Sequence, residues 1–70
     1  MPVTLLGFGQ EGCVEKVTGR DNVQRLLMSM GFVAGEKVSV ISRNGCNYIL
    51  GVRGTRVALD RAMASRIRII

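Results

Sequence analysis

Nine glycines and a single proline punctuate these 70 residues. A chain interrupted so often can hold only short elements joined by tight turns, and the apolar residues between the breaks decide which elements those are. One window, 22–30, carries a helical period. At about 100° per residue Val23, Leu26, Leu27 and Met30 fall on one face. Asp21 stands before the window as an N-cap, and Gly31 after it supplies a left-handed C-terminal position from which Phe32 can fold back onto the last turn. Met28 is the residue that does not fit: it lies about 140° from Val23, well off the apolar face. Either a neighbouring loop covers it, or it is an adaptable exposed contact of the kind methionine provides.

The other segments alternate as strands do. Residues 12–18 place Gly12, Val14 and Val17 inward if a bulge near Glu15 and Lys16 absorbs the broken period. Residues 36–43 turn Val38 and Val40 inward, and residues 47–53 do the same with Tyr48, Leu50 and Val52. Between them, a two-residue loop at Asn44 and Gly45 would send Tyr48 to the wrong face. A three-residue loop of Arg43, Asn44 and Gly45, with Gly45 in a left-handed bulge, sets Val40 opposite Tyr48 and Val38 opposite Leu50. A tight turn at Gly54 and Thr55 leads into a fourth strand with Val57 and Leu59 inward. Asp60 caps a single helical turn at 61–64, where Met63 plugs one end. A last strand, 65–70, buries Ile67 and Ile69 and leaves Arg66 and Arg68 outward. Five short strands, one helix after the first and a helical turn before the last make a mainly β fold, a small closed or nearly closed barrel, which suits a short chain because closure removes sheet edges.

The composition narrows the function. Seventy residues make one domain, 1–70, whose core is marginal and leaves no room for a supported cofactor cavity. Histidine is absent, and the two cysteines, Cys13 and Cys46, form no metal-ligand spacing, so they read as free thiols in a reducing cytosol. No catalytic base, phosphate-binding loop or carboxylate pair is present, and the GFGQEG start precedes a strand instead of following one. The expectation is a binding module and not an enzyme, with no cofactor and no metal site. No apolar run is long enough to span a membrane and the first residues lack the pattern of a signal peptide, so a cytoplasmic protein is expected. Residues 1–35 balance three basic against three acidic side chains, whereas residues 36–70 carry seven basic against two acidic, so the whole net charge of +5 sits in the second half. That excess favours an acidic partner or merely solvates a face.

Two stretches, RLLMSMGFVAGEKVSV (25–40) and VRGTRVALDRAMASRI (52–67), resemble the FeoA family of bacterial ferrous iron transport. The resemblance rests on Met30, Gly31, Phe32, Gly35 and Val38 in the first and on Arg53, Gly54, Thr55, Arg56, Val57, Ala58 and Leu59 in the second. Gly9 and Gln10 ahead of the first strand also fit. The chain departs from the family at Arg43, Asn44 and Gly45, where a longer loop, often with proline, is usual. The resemblance implies an SH3-like barrel, also found at the C-terminus of iron- and manganese-dependent repressors, in a free-standing cytosolic protein. It further implies a partner, the large inner-membrane iron permease FeoB with its cytosolic GTP-binding domain. The family's transition-metal association does not carry a ferrous site onto a chain without histidine.

The helix flank formed by Arg25, Met28 and Ser29 is the expected contact patch, for that permease or for a second copy in a homo-oligomer. Arg53 and Arg56, on either side of the expected turn, would add a charged rim. The alternatives are a nucleic-acid-binding small barrel, or an SH3-like regulatory domain related to the metal-dependent repressors. Phe32 and Tyr48 are claimed by the core, and with Phe8 the only aromatic residue left, the scarcity of stacking platforms counts against nucleic acid.

Overall fold

The computed structural model describes residues 1–70. After a 3-10 turn at Val3–Leu5 come β1 (Glu11–Val17), α1 (Asn22–Ser29), β2 (Lys37–Asn44), β3 (Asn47–Val52), β4 (Thr55–Asp60), α2 (Arg61–Ala64) and β5 (Ile67–Ile69). The strands run β4-β3-β2-β1-β5, each neighbouring pair antiparallel. β1 belongs to both halves of the curled sheet. Its first residues pair with β2 and its later ones with β5, and the register slips between Val14 and Lys16, which is the bulge the broken apolar period requires. Val14 and Val17 are both buried as a result.

β5 has no β4 beside it. Pro2 bridges Arg68, and Met1 exchanges backbone hydrogen bonds with Ile69, so the first two residues seal that edge. Val3 is drawn fully into the core by this attachment. Nothing in the aperiodic start of the sequence announced it. The core fills the sheet's inner face, with Val38, Val40, Tyr48, Leu50, Val52, Leu59, Ile67 and Ile69 packed against Leu27 and Phe32 from the helix and its exit. Arg43 lies over the Tyr48 ring, 5.9 Å from its centroid. Met63 is half-buried against the core, and the fully buried residue of its helical turn is Ala64.

Two turns differ from expectation. The β2–β3 loop is Gly45 and Cys46, not Arg43 to Gly45, since Asn44 sits opposite Asn47. Gly45 alone of the loop pair has a positive φ, 61°, as a two-residue hairpin with glycine first demands. The extra residue lies further down, where the register slips between Val40 and Ser42 and brings Val40 opposite Leu50 and Val38 opposite Val52. Burial of Tyr48, Leu50 and Val52 is satisfied either way, so the inward pattern alone could not decide where the bulge falls. Cys46 therefore lies in the turn and does not begin β3. The next loop is Arg53 and Gly54, with Val52 opposite Thr55, not Gly54 and Thr55. Both loop residues have positive φ, 52° and 75°.

Candidate partner-binding surface

The end of α1 is fixed by hydrogen bonds before any side chain contributes. Asp21 accepts from the Gln24 N–H at 3.0 Å, satisfying one of the free donors of the first turn. At the other end the Phe32 N–H donates to the Leu27 carbonyl and the Gly31 N–H to the Met28 carbonyl, the paired bonds of a left-handed helix termination. Gly31 has φ 113° and Phe32 is fully buried, so the chain leaves the helix straight into the core.

The helix is eight residues long and turns only a narrow stripe inward. Leu27 is fully buried, while Val23 and Met30 are half-buried against the core. Leu26, expected in that stripe, is 47% exposed instead, and Met28 is 45% exposed. Leu26 lies about 60° to one side of Val23 on the wheel, beyond the reach of so small a sheet. Between these two apolar side chains the exposed face carries Arg25 and Ser29. The Ser29 hydroxyl is engaged, donating to the Leu26 carbonyl at 2.6 Å.

The β3–β4 turn packs on the helix exit. A Cβ at Gly31 would come within 2.7 Å of Arg53 Cδ, so the arginine stem lies directly over the glycine. The Arg53 guanidinium stands 3.9 Å from Glu36, an exposed pair worth little in stability. Arg53 is thus joined to the end of α1, one turn from Met28. Arg56 stands apart on the outer face of β4 and meets Arg53 only across a trough of about 370 Å³.

That trough was not foreseen. A straight row of opposed residues crosses four strands on the outer face: Glu11, Ser39, Gly51 and Arg56. Gly51 lets Ser39 and Ile41 close over the middle of the row, since a Cβ there would sit 2.8 Å from Ser39 Oγ and 3.1 Å from Ile41 Cδ1. The signal in the sequence was a lone glycine in a strand interior, which marks a close approach or an open surface. Also unforeseen is the link between the helix start and β5. Arg66 donates to both Asp21 oxygens at 2.8 and 3.0 Å, and with the Gln24 N–H this holds the Asp21 carboxyl below its usual range. No three His, Cys, Asp or Glu side chains come together in a group able to hold a metal ion, and Cys13 and Cys46 are both free and exposed.

The model of the FeoA domain matches residues 1–70, the whole chain. The protein belongs to the FeoA family. A candidate Fe(2+) transport protein A of Methanocaldococcus jannaschii is 28% identical over 68 residues, 97% of this chain and 83% of that one. The crystal structure of FeoA from Stenotrophomonas maltophilia, described as a procaryotic SH3 domain protein and solved with zinc, superposes with a TM-score of 0.90 at 28% identity, covering 100% of this chain and 89% of that one. The five-stranded barrel with its single main helix is therefore the SH3-like fold of FeoA. A manganese-dependent transcriptional repressor shares that fold, with a TM-score of 0.88 at 18% identity, over 100% of this chain and 40% of the repressor. At that identity the likeness is one of architecture. No helix of this FeoA-family chain is long and apolar enough to cross a membrane.

Proposed function

We propose that this FeoA-family protein is an accessory of ferrous iron uptake that works in the cytosol by binding the GTP-binding domain of the large iron permease. Membership of the family over the whole chain, and relatives named for ferrous iron transport, supply the process. The half-exposed Met28 and Leu26 on the flank of α1 carry the binding reading. A short helix on a marginal core gains nothing by holding two large apolar side chains in water, and burying them against a partner recovers that area at roughly 25 cal/mol per Å². Arg25 and Ser29 lie between them, and Arg53 borders the helix exit, so an apolar contact has a charged margin. Rim charge of this kind tunes association rate and salt sensitivity more than affinity, and Arg56 extends it onto β4.

Capture of the purified permease GTP-binding domain on immobilised protein tests this. The wild-type chain captures it. Met28→Asp abolishes capture while the melting transition stays within about 0.5 kcal/mol, the ordinary cost of an exposed substitution. Leu26→Asp behaves alike. Variants that fold normally and still capture the domain move the interface off the helix. Variants that unfold return Met28 and Leu26 to the core and remove the spare face.

A further inference from the structure

The trough on the outer face of the sheet has an order of charge that runs beyond the Arg53 and Arg56 rim of the helix-flank contact to Lys37 and Glu11. From β4 to β1 it passes Arg56, then Arg53 at the end of β3, then Lys37 on β2, and ends at Glu11. Lys37, Arg56 and Glu11 make no ion pair within the protein, whose two salt bridges are Arg53 with Glu36 and Arg66 with Asp21. Two unpaired cations, Arg56 and Lys37, with the exposed Arg53–Glu36 pair between them, and one carboxylate therefore face solvent across the trough, where the Ser39 and Ile41 side chains lean over Gly51. Ser39 adds a hydroxyl there and Ile41 an aliphatic wall.

The dimensions select what fits. The row crosses three inter-strand steps of about 4.8 Å, roughly 14 Å in all. Four extended residues at about 3.5 Å each span the same length. The charge order selects further. A nucleic-acid strand along the trough would bring phosphates against Glu11 and would find no aromatic platform there, because Tyr48 and Phe32 are buried and the exposed Phe8 is not among the residues that line it. A polypeptide places charges of either sign at will. We propose that this trough binds an extended acidic segment of a partner protein, with two or three carboxylates against Arg56, Arg53 and Lys37 and a basic side chain against Glu11. The segment lies across the strands, with its backbone against the Ser39 and Ile41 side chains that cover Gly51. This site shares Arg53 and Arg56 with the rim of the helix-flank contact but needs neither Met28 nor Leu26, so it stands whether or not the permease docks on α1.

Backbone amide chemical shifts of the full chain, titrated with a synthetic peptide, test the proposal. The probe is an acetylated hexapeptide Ser-Asp-Glu-Leu-Lys-Ser amide, compared with the same composition in reversed order and with a single-stranded oligothymidine. The acidic-to-basic peptide shifts the amides of Ser39, Gly51 and Arg56 as a saturating, salt-sensitive titration at up to millimolar peptide. Arg56→Glu weakens it by about tenfold or more, as does Lys37→Glu, which stands in should the first variant misfold. Glu11→Lys lowers affinity for this peptide and raises it for one ending in a further acid. Met28→Asp leaves it unchanged, which separates this site from the helix flank. The proposal is overturned if the oligothymidine binds the trough more tightly than the peptide does. Peptide-induced shifts that cluster on α1, or no shift at millimolar peptide, overturn it equally.

Discussion

At the scale of single residues the backbone dictates which positions tolerate change. Gly31 and Gly45 both have left-handed φ, 113° and 61°, yet their surroundings differ. A Cβ at Gly45 meets nothing within 4 Å, whereas at Gly31 it strikes the Arg53 stem at 2.7 Å. Gly45→Ala should therefore cost about 1–2 kcal/mol, the strain of the conformation alone. Gly31→Ala should cost more than that in the same denaturant melt, because Arg53 must also move. Equal costs would show that the arginine stem gives way freely. Arg53 poses the complementary case, a non-glycine residue at φ 52° followed by glycine. Asparagine suits the first place of such a turn far better. Arg53→Asn is expected to hold or raise the melting temperature while slowing capture of the partner. A clear fall in melting temperature would mean that the stem on Gly31 contributes more than the backbone strain removes. Gly31 was legible from the sequence because an apolar helix face stopped at it. Arg53 was not, because no residue-level preference places arginine there.

At the scale of elements, local signals and distant ones part company. Both helices, their caps and all five strands follow from patterns within a few residues, and so does the β1 bulge, because Val14 and Val17 cannot both point inward without it. The β2 bulge was misplaced because a loop of two or three residues buries the same side chains, and only the register of Asn44 against Asn47 separates them. The tie between α1 and β5 was invisible for another reason: Asp21 and Arg66 lie 45 positions apart and neither breaks a local pattern. That tie gives the fold an acid limb. Arg66, and after it the Gln24 N–H, depress the Asp21 carboxyl below its ordinary value. A group depressed in the folded state stabilises it above the unfolded value near 3.9 and loses that contribution as pH falls through the lower folded value. Melting curves of wild type and Asp21→Asn should therefore differ at neutral pH, with wild type higher, and converge below about pH 4. Asparagine keeps the cap but carries no charge for Arg66. Curves that stay parallel through that range would show that the pair adds no pH dependence.

At the scale of the whole molecule, the charged side chains are distributed in a way that bears on iron itself. The net charge of +5 comes with only five carboxylates and no histidine. Three of the five are already engaged. Asp21 faces Arg66, Asp60 accepts from the Met63 N–H at 2.8 Å, and Glu36 stands beside Arg53. The remaining two, Glu11 and Glu15, lie on β1, and the net charge of +5 opposes the approach of a divalent ion. The thiols offer no better start, since Cys13 sits on β1 opposite Lys37 while Cys46 is in the β2–β3 turn. A ferrous ion asks for several oxygen or nitrogen donors arranged around one point, and at no place does this chain bring three together. Anaerobic titration with ferrous iron should accordingly show no one-to-one site tighter than about micromolar, roughly −8 kcal/mol. The same cationic surface should draw an acidic protein at rates that fall as salt rises, so only one of the two titrations responds to salt. Added salt weakens the protein partner and leaves the absence of ferrous binding unaltered. A calorimetric ferrous site at one-to-one stoichiometry, tightening as the net charge is screened, would mean that the carboxylates of β1 or the exposed thiols converge in solution and that this chain itself binds iron.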